Sequence, residues 1–325
     1  MDWQGKNVLV TGAGGFIGSH LVEELTGLGA NVTAFVRYTS KPSVGFLHSV
    51  RDKIQVFPGD FTEYQSVYQA MKGQEHVFHL GALIGIPYSF LHPDEVIRVN
   101  TVGTMNVLAA ARQTNPLRIV LTSTSEVYGT AKYVPIDETH PLQAQSPYAA
   151  SKIGADKLGE AYYHAFQMPI SIVRPFNTFG PRQSARAVIP TIILQSLKGD
   201  EIFLGATSPT RDFTFVQDTV RGFIRSAESD EAIGEIINLG AGREISIGDL
   251  AAKITSLMGK KIKVHCDEHR IRPGSSEVMR LFCNNEKARS LLEWQPYTSL
   301  EEGLKQTIAW LKESHDPEEA GGYRI

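Results

Sequence analysis

The chain has 325 residues, of which 42 % are hydrophobic and 21 % are charged, and its formal net charge is −3. These proportions are ordinary for a globular protein, and a slightly acidic chain offers no basic surface for nucleic acid. The N-terminus lacks the basic and apolar regions of a signal peptide, and no apolar run approaches the ~20 residues that span a bilayer. We therefore expect a cytoplasmic protein without nucleic-acid or membrane partners.

The two cysteines, Cys266 and Cys283, stand alone in the sequence. They have neither the spacing of metal ligands nor the pairing of a disulfide framework. We expect free thiols that are buried or half-buried, and no metal site.

The first half of the chain alternates short apolar runs with helical patterns. In chain order these are a strand at KNVLVT, a helix at LVEELTGLG, strands at NVTAFVR and IQVFPGD, a helix at YQSVYQAMKG, a strand at HVFHLGA, a helix at GTMNVLAAARQT and a strand at RIVLTSTSEVYG. Such alternation predicts an α/β fold, a Rossmann-type doubly wound parallel sheet with helices on both faces.

The regular alternation of strand and helix patterns changes from about Arg182 onward. The later patterns are a helix at IPTIILQSLKG, a strand and helix at PTRDFTFVQDTVRGFIRSAES, a strand at EIINLGAG, a helix at SIGDLAAKITSLMG, a strand at KIKVHC and a helix at SLEEGLKQTIAWLKE. We expect a large domain over residues 1–181, to which some later segments return. Residues 182–325 would mainly form a smaller C-terminal lobe over the mouth of the sheet.

A glycine-rich loop, TGAGGFIG, follows the first strand and opens the first helix. Gly12, Gly15 and Gly18 permit a tight turn and let the backbone approach a pyrophosphate closely. The first helical residues, Phe16 and Ile17, would offer free N–H groups to the phosphates. Strand, loop and helix together predict a dinucleotide-binding site.

The end of the second strand bears on which dinucleotide binds. An acidic residue there suits the ribose hydroxyl of NAD, but the sequence has Arg37, with Lys41 nearby. A cation suits the 2′-phosphate of NADP, so we expect NADP in preference to NAD. The alternative is that Arg37 is a solvated surface residue and the cofactor is NAD. Asp60 would either accept the adenine amino group or cap a helix.

Tyr148 and Lys152 lie four residues apart in SPYAASK and so share one face of a helix. Ser146 and Pro147 suit the N-cap and the first turn of that helix. An ammonium group beside a phenol lowers the phenol pKa and makes a base that takes a proton from a hydroxyl. Thr124 would hydrogen-bond the same hydroxyl. The alternative is a chance pair on an amphipathic helix.

Taken together, these motifs resemble the extended short-chain dehydrogenase/reductases that act on nucleotide sugars as epimerases and dehydratases. The resemblance covers nearly the whole chain and rests on TGAGGFIG, HLGA, NTVGT, STSEVYG, YAASK, RPFNTFGPR, RDFTFVQD and RPGSSEV. It implies that the nicotinamide cofactor stays tightly bound and is recycled. It also implies a homodimer built through helices near residues 104–112 and 148–166.

The resemblance assigns further roles residue by residue. At the cofactor it places Phe61, Leu80, Ala82 and Asn100. At the substrate diphosphate it places Asn177, Arg211 and Arg272, and two arginines suit a diphosphate. The nucleotide base would lie against the segment that contains Arg186, Val188 and Ile189.

The stretch Thr124–Ser125–Glu126 discriminates within this group. It resembles the dehydratases of GDP-mannose type, and the longer matches look most like 4,6-dehydratases of nucleotide-linked N-acetylglucosamine in legionaminic-acid-type pathways. Tyr148 would act in C4 oxidation and Glu126 would remove the C5 proton, which the neighbouring ketone makes acidic. Either Ser125 or Glu126 would pass a proton to the departing C6 hydroxyl.

Three other functions stay open on the sequence alone. A 4-epimerase needs no acid at position 126, and that acid would then cap a helix or form a salt bridge. A decarboxylase of a nucleotide-linked uronic acid needs a cation for the carboxylate, for which Arg182 or Arg186 is available. A non-catalytic NADP-sensing protein would keep the fold without turnover.

Overall fold

The structure is a computed structural model, and it describes residues 1–40, 43–270 and 276–314. The strands are β1 (Asn7–Thr11), β2 (Asn31–Arg37), β3 (Gln55–Gly59), β4 (His76–His79), β5 (Arg118–Thr122), β6 (Ile170–Pro175), β7 (Asn177–Phe179), β8 (Glu201–Leu204), β9 (Thr210–Arg211), β10 (Phe213–Phe215), β11 (Ile236–Leu239), β12 (Ile245–Ser246) and β13 (Lys263–Cys266). The helices are α1 (Phe16–Gly27), α2 (Tyr64–Met71), α3 (Ile86–Leu91), α4 (Pro93–Ile97), α5 (Gly103–Thr114), α6 (Pro147–Phe166), α7 (Val188–Lys198), α8 (Val216–Glu228), α9 (Ile247–Leu257), α10 (Glu286–Leu292) and α11 (Leu300–Ser314).

The centre of the fold is a seven-stranded sheet in the order β11-β6-β5-β4-β1-β2-β3. Every neighbouring pair is parallel. The two faces of β1 are both buried, since Val8 and Val10 belong to one hydrophobic cluster and Leu9 to the other. Side chains alternate across a strand, so a near-continuous apolar run suits a sheet covered on both faces. The predicted Rossmann-type fold is confirmed.

The connections place a crevice at the carboxyl edge of this sheet. From β1 the chain builds outward through β2 and β3, then returns to the other side of β1 to form β4. The loops that follow β1 and β4 therefore diverge at this switch point, where α/β proteins bind their ligands. The glycine-rich loop and HLGA both lie there.

The later segments form three two-stranded sheets, β10 with β7, β12 with β9 and β13 with β8. EIINLGAG instead becomes β11 and joins the large sheet, where Ile237 pairs with Val173. This is one of the expected returns of later segments, while the boundary between residues 181 and 182 stays a proposal. Within the described ranges, no helix is long and apolar enough to cross a membrane.

The two cysteines are free, as expected, but they differ in burial. Cys283 is buried, whereas Cys266 is exposed, so the expected burial is wrong for Cys266. Cys266 ends β13, which belongs to a small two-stranded sheet rather than to the central one.

Candidate active site

The glycine loop has the geometry of a phosphate cradle. Gly12 has a φ of +67°, which favours glycine. A Cβ on Gly18 would lie 2.2 Å from the carbonyl oxygen of Gly12, so helix and loop approach more closely than any side chain permits. Helix α1 begins at Phe16 without a side-chain cap and without an acid in its first turn. Uncapped N–H groups beside a close backbone fit the pyrophosphate of a dinucleotide.

A buried histidine joins the ends of β1 and β4. His79 Nδ1 lies 2.7 Å from Thr11 Oγ1, and His79 Nε2 lies 3.1 Å from Thr104 Oγ1. Thr11 Oγ1 also accepts the N–H of Gly81 at 3.0 Å. Burial lowers the pKa of His79 to about 3, so the ring is neutral. Phe61 packs edge-on against it at 5.5 Å. The sequence analysis missed this histidine, although it precedes Leu80 in HLGA.

Asn100 ties the loop after β4 to helix α6. Its Oδ1 accepts the N–H of Leu83 at 2.8 Å, and its Nδ2 donates to Leu83 O at 3.0 Å and to Ser151 Oγ at 2.9 Å. Asn100 is buried in a short π-helical segment between α4 and α5. These hydrogen bonds of Asn100 hold in place the loop that contains Leu80 and Ala82.

The residues considered for the adenosine end lie at the ends of β2 and β3. Arg37 is exposed at the last position of β2, and Lys41 falls outside the described residues. Asp60 Oδ1 accepts the N–H and the hydroxyl of Thr62, each at 2.8 Å. Helix α2 begins only at Tyr64. Asp60 therefore caps the turn before α2, and the alternative that it caps the helix is wrong.

Tyr148 and Lys152 lie in the first turns of α6, as predicted. Ser146 caps this helix by accepting the N–H of Ala149 at 3.1 Å, and Pro147 occupies the first turn. Both side chains of the pair are buried, with 7 % of Tyr148 and 4 % of Lys152 exposed. Lys152 Nζ donates to the carbonyl oxygen of Thr122 at 2.5 Å, which fastens α6 to the end of β5.

Burial dominates the protonation of this pair in the chain alone. It raises the pKa of Tyr148 above the ordinary phenol value, a rise opposed by a hydrogen bond with Thr124. It also lowers the pKa of Lys152 to about 8. The lowered phenol pKa expected from the sequence is therefore absent, because burial raises it and Lys152 is not among the groups that lower it. A bound nicotinamide would add the missing positive charge.

The polar stretch after β5 is a turn rather than a continuation of the strand. The strand ends at Thr122, and Ser125–Tyr128 form a 3-10 turn that Thr124 caps by accepting the N–H of Glu126 at 3.2 Å. Ser125 is buried and Glu126 is half-buried. Among the described residues Glu126 has no ion-pair partner, yet its charge raises the pKa of Tyr148. The carboxylate therefore lies close to the phenol.

Of the candidate substrate residues, Asn177 offers the clearest sign of a missing partner. Its Oδ1 is buried and has no hydrogen-bond partner among the described residues. Arg211 lies in β9 and pairs with Glu277 at 3.0 Å. At the start of α7, Ile189 is fully buried in the hydrophobic core, so its side chain is unavailable to a ligand, while Val188 is half-buried. Arg272 lies outside the described residues.

The two arginines considered for a substrate carboxylate differ in their surroundings. Arg182 donates to Ser19 Oγ at 3.2 Å and pairs with Glu23 at 2.9 Å, both on α1. It fastens the start of the later segments to the first helix. Arg186 is exposed in the loop before α7.

Sequence comparison identifies the family. A profile of the GDP-mannose 4,6 dehydratase family matches residues 9–307. The chain belongs to that family. Its relatives include nucleotide-sugar epimerases and decarboxylases as well as a dehydratase, so the family is one of NAD-dependent enzymes that modify nucleotide sugars.

Three relatives show the range of this similarity. The UDP-N-acetyl-alpha-D-glucosaminuronate decarboxylase of Bacillus cytotoxicus is 33 % identical over 320 residues, which cover 95 % of this chain and 98 % of that protein. MoeE5, solved with UDP-glucuronic acid and NAD, has a TM-score of 0.85 at 31 % identity and covers 95 % and 100 % of the two chains. DesIV of Streptomyces venezuelae, a dTDP-glucose 4,6-dehydratase solved with NAD, has a TM-score of 0.87 at 26 % identity and covers 95 % and 97 %.

Proposed function

We propose that this family member is a nucleotide-sugar 4,6-dehydratase. It would convert an N-acetylglucosamine linked to GDP or UDP into the 4-keto-6-deoxy sugar. The position of Glu126 carries the proposal: the carboxylate is half-buried, has no ion-pair partner among the described residues and is close enough to Tyr148 to raise its pKa. A surface acid that only capped a turn would not need this position, since Thr124 already supplies the cap.

The residues of the site would divide the chemistry into two steps. In the first step, Thr124 and Tyr148 hold the C4 hydroxyl, and Tyr148 takes its proton as the C4 ketone forms. In the second step, Glu126 takes the C5 proton, which the adjacent ketone acidifies, and the C6 hydroxyl leaves as water. A bound nicotinamide would supply the hydride acceptor for C4 and the hydride donor for C6, and a proton would return to C5 as the hydride adds to C6. We propose that either Ser125 or Glu126 passes the proton to the leaving group.

The cofactor would lie on the glycine loop from Gly12 to Gly18. We propose NADP ahead of NAD, because Arg37 stands at the end of β2 where a carboxylate would favour NAD. Asn177, Arg211 and Arg272 are proposed to hold the diphosphate. The buried oxygen of Asn177 supports this role, since an unpaired polar atom in a protein interior needs a partner.

We also propose a homodimer through the α5 and α6 region. Six large apolar side chains in the segment around α3 to α5 are exposed in the single chain: Ile84, Phe90, Leu91, Ile97, Val102 and Met105. An exposed apolar patch of this kind is typical of a protein interface. Sedimentation equilibrium would measure the state, and a monomer at micromolar concentration would contradict the proposal.

A decarboxylase is the second candidate, because the relative from Bacillus cytotoxicus has that activity. A uronic acid substrate needs a cation for its carboxylate. Arg182 is already paired with Glu23 on α1, which leaves Arg186 as the available candidate of the two. This pairing is the reason for placing the decarboxylase second.

The two candidates differ in the mass of their products. We would incubate the protein with GDP- and UDP-linked N-acetylglucosamine and with the corresponding uronic acid, and measure product mass. The dehydratase predicts loss of water from the first pair of substrates. Loss of carbon dioxide from the uronic acid alone would establish the decarboxylase, and an isomer of unchanged mass would establish an epimerase.

Glu126→Gln tests the assigned residue. The variant should still reduce the bound nicotinamide on addition of substrate, but it should form no 6-deoxy product. Glu160→Gln is the matched control, because Glu160 lies on the outer part of α6 and pairs with Lys157. Normal product formation by Glu126→Gln would reject the role of this carboxylate.

A further inference from the structure

A buried ionic cluster lies directly behind the Tyr148–Lys152 pair. Asp156 on α6 accepts three hydrogen bonds on its Oδ2 atom: from Ser123 Oγ at 2.9 Å and from Arg174 Nε and Nη2 at 3.0 and 2.9 Å. The three side chains are almost inaccessible, with exposed fractions of 2 % for Asp156, 1 % for Arg174 and 4 % for Ser123. Arg174 also donates to the hydroxyl of Tyr128 at 2.9 Å.

Burial of an ion pair is a costly way to stabilise a core. The desolvation of both charges offsets much of their attraction, and apolar side chains of similar volume often stabilise a protein equally well. The cluster is therefore better explained by what its charge and geometry do for neighbouring groups than by stability.

The cluster has two links to the proposed catalytic pair. Asp156 follows Lys152 by four residues on α6, so the two side chains share one face of the helix. Lys152 binds the carbonyl of Thr122, and Asp156 binds the hydroxyl of Ser123. Both contacts hold the last residues before Thr124.

We propose that the Asp156–Arg174 ion pair is a positioning element that sets the pH range in which Lys152 works. Asp156 supplies a negative charge one helical turn beyond the ammonium. Burial raises the pKa of this carboxyl group, and the charge and hydrogen bonds of Arg174 oppose that rise. Ser123 links Asp156 to the turn after β5, because its hydroxyl donates to Asp156 and it directly precedes Thr124, the residue proposed to bind the substrate hydroxyl. The inference rests on the proposed function, with Lys152 as the ammonium that assists Tyr148, but it is independent of whether the product is a dehydrated, decarboxylated or epimerised sugar.

The sign of the effect follows from the charges around Lys152. Burial lowers the pKa of Lys152 to about 8, and the charge of Asp156 opposes that fall. The same charge raises the pKa of Tyr148. Removing it would lower both values, so the active pH range would move toward acid. The other titratable groups packed around the pair and its cluster in the described residues are His79 on β4, Glu126 and Tyr128 in the turn after β5, Glu138 and His140 beside Tyr128, and Arg174 on β6.

Glu126 acts on Tyr148 in the same direction as Asp156, but the charge that acts on Lys152 is that of Asp156. His79 is neutral, since burial lowers its pKa to about 3. Tyr128 is protonated, because burial raises its pKa. Burial also raises the pKa of Glu138, and Glu138 is not among the charges that act on Lys152.

The test is Asp156→Asn, measured in two ways on the cofactor-bound protein. The first measurement is the pKa of Lys152 by 13C NMR of lysine-labelled protein, with the resonance assigned by its loss in Lys152→Arg. The second is the pH profile of nicotinamide reduction in a single turnover with nucleotide sugar. An opposite charge within one helical turn shifts a pKa by about one unit or more. We expect both the Lys152 pKa and the profile to move toward acid by that amount.

Three variants separate tuning from simple damage. Asp156→Glu should restore the wild-type profile because it restores the charge. Ser123→Ala should slow turnover and leave the profile in place, because it alters the turn and keeps both charges. Asp156→Asn combined with Arg174→Gln removes the pair without leaving a lone buried cation. This double variant should show the same acid shift, and it replaces Asp156→Asn if that single variant folds poorly.

The outcomes distinguish the inference from the proposed function. A folded Asp156→Asn protein with an unchanged Lys152 pKa would overturn the inference, whatever its rate. A shifted Lys152 pKa would support the tuning in any case. If none of the nucleotide sugars tested reduced the bound nicotinamide of that protein or of the wild type, the proposed function would be rejected while the tuning stood.

Discussion

Gly18 is the position at which one added methyl group should do the most damage to cofactor binding. A Cβ there would lie 2.2 Å from the carbonyl oxygen of Gly12 and 3.0 Å from the Cα of Ala13. Carbon–oxygen contacts in proteins are ordinarily about 3.3 Å or longer. In Gly18→Ala the helix and the loop would therefore have to separate by about 1 Å, which the contact distance requires.

Two effects should follow from this separation. Overpacking a well-fitted site costs typically ~2 kcal/mol of unfolding free energy. The unfolding entropy of a chain of this length is roughly 0.7 kcal/mol/K, so Tm should fall by about 3 °C. A displacement of 1 Å at a site that depends on positioning costs on the order of 100-fold, and we expect NADP and NAD to bind more weakly by a factor between about 10 and 100.

The assay is calorimetric titration of both cofactors, together with thermal unfolding. Gly27→Ala is the matched control, because Gly27 lies in the same helix and a Cβ there would meet nothing within 4 Å. That control should keep wild-type affinity and gain up to ~1 kcal/mol from helix propensity. Wild-type affinity in Gly18→Ala would refute the reasoning that close backbone approach makes the cradle.

Three further predictions concern separate parts of the molecule. Arg37→Ala should weaken NADP roughly 10-fold, the value of one charge-assisted contact, and leave NAD unchanged in the same titration; equal losses for both would remove Arg37 from the 2′-phosphate. His76 has both ring nitrogens buried without partners in the described ranges, and burial lowers its pKa to about 4. The free energy of unfolding should thus fall as pH falls from about 6.5 to about 4, because the unfolded chain binds a proton on His76 that the folded chain does not. His76→Phe should reduce the slope of the urea-measured unfolding free energy in that window by about 1.4 kcal/mol per pH unit; an unchanged slope would contradict this. Ser146→Ala should cost ~1 kcal/mol through its lost cap and also slow turnover, because α6 carries Tyr148, whereas Ser246→Ala, at the cap of α9, should cost a similar amount without slowing turnover; equal rates would show that the α6 cap does not position the site.

Local patterns in the sequence were sufficient for the large sheet and for the cofactor loop. The run Val8–Val10 is apolar on both faces, and only a strand covered on both sides can bury it. The glycine spacing of the loop depends on contacts within the eight residues from Thr11 to Gly18. Ser146 and Pro147 likewise predicted the start of α6, because a helix cap is a local hydrogen bond.

The sequence did not predict the contacts that shape the site, because they join residues distant in sequence. Asp156 meets Arg174 and Ser123 only when α6 lies beside β5 and β6. His79 on β4 likewise contacts Thr11 on β1 and Thr104 on α5. The rise in the pKa of Tyr148 depends on burial, which no spacing of residues reveals.

The sequence by itself determined the doubly wound sheet, the glycine cradle and the place of Tyr148 and Lys152 in the first turns of one helix, since each depends on a repeat or a spacing of a few residues. Only the tertiary structure decided that Arg182 is bound to α1, that Glu126 is without an ion-pair partner in the described part of the chain, and that Asp156 lies behind the lysine. The physical reason is that desolvation and charge pairing depend on the whole packed surroundings of a group.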